Sequence, residues 1–413
     1  MPTPEQLQPG APRRGLAGAN IVLGVTGGIA AYKSADLTSK LVQAHADVHV
    51  VMTEAASRFV QPLTFQALSH HHVFTDVYAG WDDGERGHVG LAANADVLLI
   101  APATADIIAR LAAGMVDDML TAVALATSAL LVVAPAMEDH MWNHPATQAN
   151  VDTLRMRGAV IVDPEAGYLA SGAAGDGRLA SPDRLVAAVR RALGRAGPLA
   201  GTRVVITAGG TREALDPIRY LGNRSTGMMG LALVNAAIDL GANVLLIAGP
   251  TIVTLPAGVE IIPVESAMEM AEAVWRATET ADVLIMAAAV ADFRPRSLSV
   301  QKIKKAPGQE SLDLELVRNP DIIAKTGHSN LVKVGFAAET EHLESYALEK
   351  ARTKGLAMIV ANDAVKTLGS TESEATLVFP TGSAVRLPSM PKSELAAKIM
   401  DEVVGLLESV LHD

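Results

Sequence analysis

The stretch Val204 to Gly230, VVITAGGTREALDPIRYLGNRSTGMMG, restricts the choice of fold more than any other part of the chain. Val204, Val205 and Ile206 are β-branched and continuous, the pattern of a parallel strand buried on both faces. The pair Gly209-Gly210 then permits a tight turn and a close backbone approach to a ligand. A polar loop follows, carrying Thr211, Arg212, Asp216, Arg219, Asn223, Arg224 and Ser225. Ser225 or Thr226 is placed to cap a helix whose apolar positions Leu231, Val234 and Ile238 keep helical spacing. Strand, loop and helix in this order predict a site for an anionic, nucleotide-like ligand. The plainer reading is a long solvated connection, but structureless loops of this length are uncommon in compact domains unless they carry function.

The same order recurs along the chain. Ile21 to Thr26 reads as a strand, followed by a helix with Ala30, Ser34, Leu37 and Leu41 on one face, then a strand from Val48 to Met52. Val97 to Ala101, Leu130 to Ala134 and Val160 to Val162 continue the series, and after residue 201 come Val244 to Ala248, Val283 to Ala289, Val332 to Phe336 and Ala357 to Ala361. Repeated βα units predict doubly wound parallel sheets, with ligands at the carboxyl ends of the strands. Thr376 to Phe379 and Ala384 to Leu387 flank Pro-Thr-Gly-Ser and read as a hairpin at a sheet edge. Residues 1–18, rich in Pro and Gly with Arg13-Arg14, read as a disordered lead-in. Between the α/β domains, predicted over residues 19–190 and 202–413, Gly and Pro in residues 191–201 mark a linker.

A chain of 413 residues suits two domains. Its net charge of −11 argues against a general nucleic-acid or membrane surface, so an anionic ligand must be met by local basic clusters. The absence of cysteine excludes disulfides, thiolate metal sites and a cysteine nucleophile, and fits a reducing compartment, predicting a cytoplasmic protein. No stretch reads as a membrane span or a signal peptide.

In the first half, Thr26-Gly27-Gly28-Ile29-Ala30 closes a strand and opens a helix, an arrangement whose free N–H groups suit a phosphate. It lacks G-x-G-x-x-G spacing, which disfavours a dinucleotide. Thr53 and Glu54 end the second strand and read by themselves as helix caps. His88 sits in Gly87-His88-Val89-Gly90, and a lone histidine is more often structural; the triplet His70, His71, His72 reads as a solvated turn. Ala101 to Asp106 (APATAD) and Pro135 to Trp142 (PAMEDHMW) fall at strand ends, where Met137 could cover a flat ring.

These residues resemble the flavin-dependent cysteine decarboxylases, and in particular the first domain of the bifunctional phosphopantothenoylcysteine decarboxylase/phosphopantothenate-cysteine ligases. The likeness covers nearly the whole chain from Ile21. It implies a flavodoxin-like domain in which Gly27, Gly28, Ile29, Ala30, Thr53, Ala103, Thr104, Met119, Leu120, Thr121 and Met137 cradle FMN, and in which His88 matches the catalytic histidine. His88 would act as acid/base or orient the substrate. Two positions depart from the family. Glu138 replaces the usual Asn after Pro-Ala-Met and would set a carboxylate near that of the substrate. The substrate-clamping flap, Leu169 to Leu179, carries Ser171 where the family has a cysteine proton donor, and ends on Gly177-Arg178. Serine is a far weaker acid than cysteine, so we expect water or His88 to return the proton.

The second half resembles the ligase signature. That likeness implies CTP-dependent activation of 4′-phosphopantothenate to an acyl-cytidylate, then attack by the cysteine amine. Asn223 would steady the acyl-nucleotide. Met286, Ala287, Ala288, Asp292, Lys302, Asn319, Pro320, Asp321, Ile322, Phe336, Lys350 and Lys354 would surround CTP, with Arg219 in the substrate loop. Lys302 to Lys305 (KIKK) reads either as a solvated face or as a triphosphate clamp beside Asp292. Mg2+ is expected with the triphosphate, at Asp292. The implied partners are small molecules and further copies of the chain, up to a dodecamer built from trimeric and dimeric contacts. Two other readings stand beside this one: a tandem NAD(P)-dependent oxidoreductase, disfavoured by the missing glycine fingerprint, and an active ligase fused to a flavin module that no longer catalyses.

Overall fold

The computed structural model describes residues 15–77, 87–304, 307, 310–328, 330–339, 343–363 and 369–412. Most of the expected lead-in, residues 1–14, and Lys305 of the basic run lie outside the described residues. The chain divides into two compact units, Met1–Arg195 and Ala196–Asp413.

In the first unit, β1 (Asn20–Val25), β2 (Asp47–Met52), β3 (Val97–Ala103), β4 (Leu130–Pro135) and β5 (Val160–Ile161) form a parallel sheet in the order β2-β1-β3-β4-β5. This is the flavodoxin-like order, whose reversal between the first and third strands opens a crevice at their carboxyl ends. Every residue of β3 is buried, as a central strand covered on both faces requires. Ser34, Leu37 and Leu41, on one face of the helix Lys33–Gln43, are inaccessible and pack the predicted stripe against the sheet. Each fully buried leucine contributes about 1.5–3 kcal/mol. β6 (Glu165–Tyr168) and β7 (Ala174–Arg178) form a separate antiparallel hairpin. Residues 15–18 depart from the expected disordered lead-in. Leu16 is 2% exposed inside the core, and Gly18 N–H donates to the His45 carbonyl at 2.8 Å, so burial of one leucine orders the segment.

The second unit is built on β8 (Arg203–Ala208), with β9 (Arg212–Ala214) and β10 (Tyr220–Gly222) as a small hairpin. Then come β11 (Asn243–Ala248), β12 (Glu260–Pro263), β13 (Val283–Met286), β14 (Phe293–Pro295), β15 (Leu316–Arg318), β16 (Val332–Glu339), β17 (Met358–Asp363), β18 (Glu372–Val378) and β19 (Ala384–Pro391). The main sheet runs β12-β11-β8-β13-β16-β17-β18-β19. Its first six strands are parallel in the Rossmann-like arrangement, and β18 and β19 add an antiparallel edge hairpin, as the sequence predicts. Residues 191–194, expected in the linker, continue the helix Pro182–Gly194, whose Leu185 and Val189 are buried in the first core. Leu199, also assigned to the linker, lies in the core of the second unit. Among the described residues no helix is long and apolar enough to cross a membrane.

Candidate functional site

At the carboxyl ends of β1, β3 and β4 lies a cavity of about 570 Å³, roofed by the β6–β7 hairpin. Gly27, Gly28, Ile29, Ala30, Thr104, Met137, Glu138, Ser171 and Arg178 line it, so most of the predicted residues of the first half meet there. Buried hydroxyls set its floor. Thr26 Oγ1 donates to the Pro102 carbonyl at 2.7 Å and accepts from Thr104 N–H at 3.2 Å, tying the glycine turn to the turn after β3. Thr104 then caps the helix Ala105–Ala113 by accepting from Ile107 N–H. The two glycines differ in purpose. A Cβ on Gly27 would collide with Ala55, whereas one on Gly28 would touch only Thr104 Cγ2, at 3.9 Å, and otherwise enter the cavity.

The hairpin is docked by close backbone packing. Met137 N–H donates to the Gly177 carbonyl at 3.0 Å, and a side chain at Gly177 would overlap the Met137 carbonyl oxygen. At the hairpin tip, Gly172 takes φ +84, and Ser171 Oγ accepts from Ala173 N–H at 3.4 Å. The sequence missed Tyr32, Lys33, Met141 and Tyr168, which also line the cavity. Lys33 donates to the Leu179 carbonyl at 3.2 Å. Its pKa is lowered by burial and then by the Arg178 charge, with Glu165 acting in the other direction. For Glu165, burial is the largest influence and acts upward. It is outweighed by Ser181 N–H at 2.9 Å and by Arg184 at 3.3 Å, which hold the carboxyl below its usual value.

Several predicted residues lie elsewhere. Thr53 Oγ1 accepts from Ala56 N–H at 3.2 Å and serves as the cap of a short helix. Ala103 is fully buried within β3. Met119, Leu120 and Thr121 are each 1% exposed: the first two pack in the core, and Thr121 closes a capping box with Asp118. His88, on the helix Gly87–Asn94, is not among the residues lining the cavity. Glu138 does line the cavity, but its carboxylate accepts from His140 N–H at 2.7 Å, which holds the charge in a helix cap.

In the second unit, two adjoining cavities of about 390 and 270 Å³ share Ala288, Val290, Asp292, Phe336 and Lys350. Asn223 and Ala287 line the larger one. Met286, the segment Asn319–Ile322 and Lys354 line the smaller one. Lys350 lies on the helix Leu343–Thr353, whereas Lys354, expected on the same helical face, follows the last residue of that helix, its N–H donating to the Lys350 carbonyl at 3.1 Å. Lys354 Nζ stands 2.8 Å from Asp321 Oδ2. Burial pushes the Asp321 carboxyl upward, but the hydrogen bonds from Lys354 and Ala324 N–H prevail and hold it low. Asn223 Nδ2 donates to the Val290 carbonyl at 2.9 Å, and Asn319 Nδ2 to the Ala291 carbonyl at 2.8 Å, so both amides brace the strap that carries Asp292.

That strap is also held from below. Thr207 Oγ1 accepts from Ala288 N–H at 3.1 Å, and Thr211 Oγ1 from Ala291 N–H at 3.0 Å. Both residues are buried; Thr207, a polar group near the end of an apolar strand, is the one the sequence passed over. The glycine pair departs from its expected place against a ligand. A Cβ on Gly209, at φ +82, would meet the Gly249 and Pro250 carbonyl oxygens, and one on Gly210 the Asn223 carbonyl, so the pair permits a crossing of backbones. Nor does Ser225 or Thr226 cap the helix Met228–Asp239. Gly227 does, without a side-chain bond, while the hydroxyls accept from Gly227 and Met228 N–H at 3.3 Å each. Residues 227–230, at the helix start, line the larger cavity, with the N–H groups of Gly227 and Met228 held by these two hydroxyls. Arg219 and Lys302 line neither cavity; Arg219 is bonded to Asp216 and Lys302 is exposed.

A family model described as Flavoprotein matches residues 10–194, and one described as DNA/pantothenate metabolism flavoprotein C-terminal domain matches residues 199–407. The coenzyme A biosynthesis bifunctional protein CoaBC of Bacillus subtilis is 45% identical over 395 residues, covering 94% of this chain and 97% of that one. Its counterpart in Vibrio cholerae is 46% identical over 391 residues, covering 93% and 98%. Among solved structures, a C-terminal domain of CoaBC is 38% identical, covering 52% of this chain and 100% of the other, with a TM-score of 0.45. The FMN-dependent cysteine decarboxylase SpaF is 36% identical, covering 43% and 97%, with a TM-score of 0.38.

Proposed function

The chain belongs to the family of bifunctional coenzyme A biosynthesis proteins, and from that premise we propose how each unit does its part. The second unit ligates 4′-phosphopantothenate to cysteine with CTP, and the first decarboxylates the product, with FMN, to 4′-phosphopantetheine.

The observation that carries the ligase reading is the pair of cavities sharing Asp292, Phe336 and Lys350 beside a helix start. A triphosphate needs cations and N–H donors. Lys350, Lys354 and the start of helix Met228–Asp239 supply them. The exposed Asp292 carboxylate fits a Mg2+ shared with phosphate oxygens, since Mg2+ is commonly held by one or two carboxylates plus the nucleotide. The phosphopantothenate carboxylate attacks the α-phosphorus and pyrophosphate departs. The cysteine amine then attacks the acyl carbon, CMP leaves with the bridging electrons, and the amine proton passes to solvent. An asparagine amide has two N–H donors, and the bond to Val290 uses one, orienting Asn223 to meet the developing oxyanion.

The first cavity fits FMN on the chemistry of its walls: backbone space at Gly28, apolar faces from Ile29, Met137 and Tyr168, and the cations Lys33 and Arg178. When bound, FMN would supply two-electron redox chemistry at the cysteinyl end of the substrate. The hairpin covers one side of the cavity with Tyr168, Ser171 and Arg178. Lys33 and Arg178 receive anionic groups, which relieves the repulsion between the two cations. His88 lies off the cavity lined by its own chain, so we assign its proton-transfer role to a homo-oligomer in which another copy presents it. The cysteine-free sequence fits a cytoplasmic enzyme.

The test is mass spectrometry of products after mixing the protein with 4′-phosphopantothenate, cysteine, CTP and Mg2+. Phosphopantetheine is the expected product. Arrest at phosphopantothenoylcysteine would overturn the decarboxylase assignment and leave a flavin module of another role. No ligation with either CTP or ATP would overturn the ligase assignment.

A further inference from the structure

Away from both sites, at the amino end of β2, Asp47, His49 and His71 bring a carboxylate oxygen and two imidazole nitrogens within 4.8 Å of one another. We propose that this cluster binds a divalent ion of the zinc class, through one oxygen and two nitrogen ligands, and that the ion clips the edge of the flavodoxin-like sheet.

The local fold explains why the three meet. Asp47 and His49 are two apart on a strand and therefore share a face. His71 arrives from a separate segment. The helix Pro62–Ser69 ends at His70 in the left-handed conformation, φ +63, and Ser69 Oγ then accepts from His71 N–H at 3.3 Å. This turn sends the chain back alongside β2, where Phe74 N–H donates to the Val50 carbonyl at 2.9 Å and Met52 N–H to the Phe74 carbonyl at 2.8 Å. The three residues thus join β2 to the short segment that pairs outside it.

One of the two distances suits a shared ion. Ligand atoms about 2 Å from a tetrahedral zinc stand about 3.3 Å apart. Here His49 Nε2 lies 3.5 Å from Asp47 Oδ2, close to that spacing, while His71 Nε2 lies 2.6 Å from the other oxygen, Oδ1, a hydrogen-bond distance that must lengthen for both to ligate one ion. The rings of His49 and His71 are stacked, with centroids 4.3 Å apart and 25° between planes, so one ring must turn out of the stack for both in-plane nitrogen lone pairs to meet at one ion. All three residues are half-buried, and Asp47 and His49 open onto a groove of about 450 Å³, which leaves room for water to complete the coordination. Imidazole nitrogen selects zinc and its late first-row neighbours over Mg2+ or Ca2+, which prefer oxygen donors. The competing account is a hydrogen-bonded His–Asp group that holds no metal, and experiment separates the two.

Full-length protein carrying its flavin is stripped with a chelator, then titrated with Zn2+ alone against a chromophoric chelator, with a thermal melt in parallel. The expected result is one zinc per chain and a higher melting temperature for the flavin unit. His49→Gln and His71→Gln each weaken binding at least about tenfold, while His144→Gln leaves it unchanged. Retained flavin absorbance shows that the variants are folded. As a second measurement on unmutated protein, Co2+ should give visible d–d bands that zinc displaces. No stoichiometric zinc, binding indifferent to both histidines, equal competition by Mg2+, or no cobalt bands would overturn the proposal.

Discussion

Asp216 and Arg219, three residues apart in the loop after β9, are joined at one carboxylate oxygen: Arg219 Nε and Nη2 donate to Asp216 Oδ2 at 2.9 and 2.5 Å. The same oxygen accepts from Ile303 N–H at 3.1 Å, and Oδ1 accepts from Ile218 and Arg219 N–H at 2.9 Å each. Arg219 Nη2 also donates to the Ile303 carbonyl at 2.7 Å. A carboxylate with no accessible surface thus brackets the segment containing Lys302, which explains why Arg219 is held back from the cavity.

Replacing Asp216 with Asn turns half of that acceptor into a donor aimed at Arg219 or Ile303. We expect Asp216→Asn to impair ligation while decarboxylation of supplied phosphopantothenoylcysteine is unchanged, as separate assays of the two steps would show. Hydrogen bonds, that from Arg219 first, hold the Asp216 carboxyl well below its ordinary 3.8. A depressed carboxylate pKa stabilises the fold above the unfolded value, and that stability is lost as pH falls through the folded one. The difference in unfolding stability between native protein and variant should therefore be full at pH 7 and shrink below about pH 4. A difference that does not change with pH would refute this account.

Gly28 has extended backbone, φ −158, which any residue adopts, and its missing Cβ faces open space. Gly28→Val should therefore fold normally yet be colourless, because the new side chain occupies the proposed flavin cavity. Gly27→Val drives a side chain into Ala55 and should lower the melting temperature as well. Flavin absorbance and a thermal melt on each variant decide it: if Gly28→Val bound flavin like the native protein, this wall of the cavity would be misassigned.

Lys354 stands against Asp321 within the smaller ligase cavity, so Lys354→Ala removes a cation and also leaves a partly buried carboxylate uncompensated. The KM for CTP should rise at least about tenfold, the scale of one charged hydrogen bond. Adding Asp321→Asn should recover part of the loss, a coupling measurable as a double-mutant cycle. If the double variant were no better than the single one, charge balance would not be the role of Lys354.

The sequence predicts the two sheets well because continuous apolar runs such as Val97 to Ala101 and Val204 to Ile206 have few places to go but a buried parallel strand. Strand ends follow from them, and so do the clusters around Gly28 and Asp292. What one sequence does not reveal is which of two close neighbours a residue serves. Gly209 and Gly210 suit a ligand or another backbone equally well, and the choice was made by Gly249 and Pro250, some forty residues on. The hydroxyls of Thr53 and Thr121 accept from the backbone N–H groups of Ala56 and Asp118, local caps that the sequence alone does not separate from a ligand contact. The pairing of His71 with Asp47 is non-local, and a histidine triplet carries no sign of it.

Ser171 lies exposed at the tip of the β6–β7 hairpin, with its hydroxyl accepting from Ala173 N–H. An alcohol in that setting has no neighbour among its hydrogen-bond partners to make it a stronger acid. If Ser171 gave the final proton itself, Ser171→Ala would lose about 10²-fold or more in decarboxylation. We expect a loss below about tenfold, with the proton coming from water or His88. Ser171→Cys should instead accelerate the step near neutral pH, since a thiol titrates near 8.5 and an alcohol does not. Turnover of phosphopantothenoylcysteine by the two variants, with flavin content matched, separates a proton donor at this position from a residue that only shapes the hairpin tip.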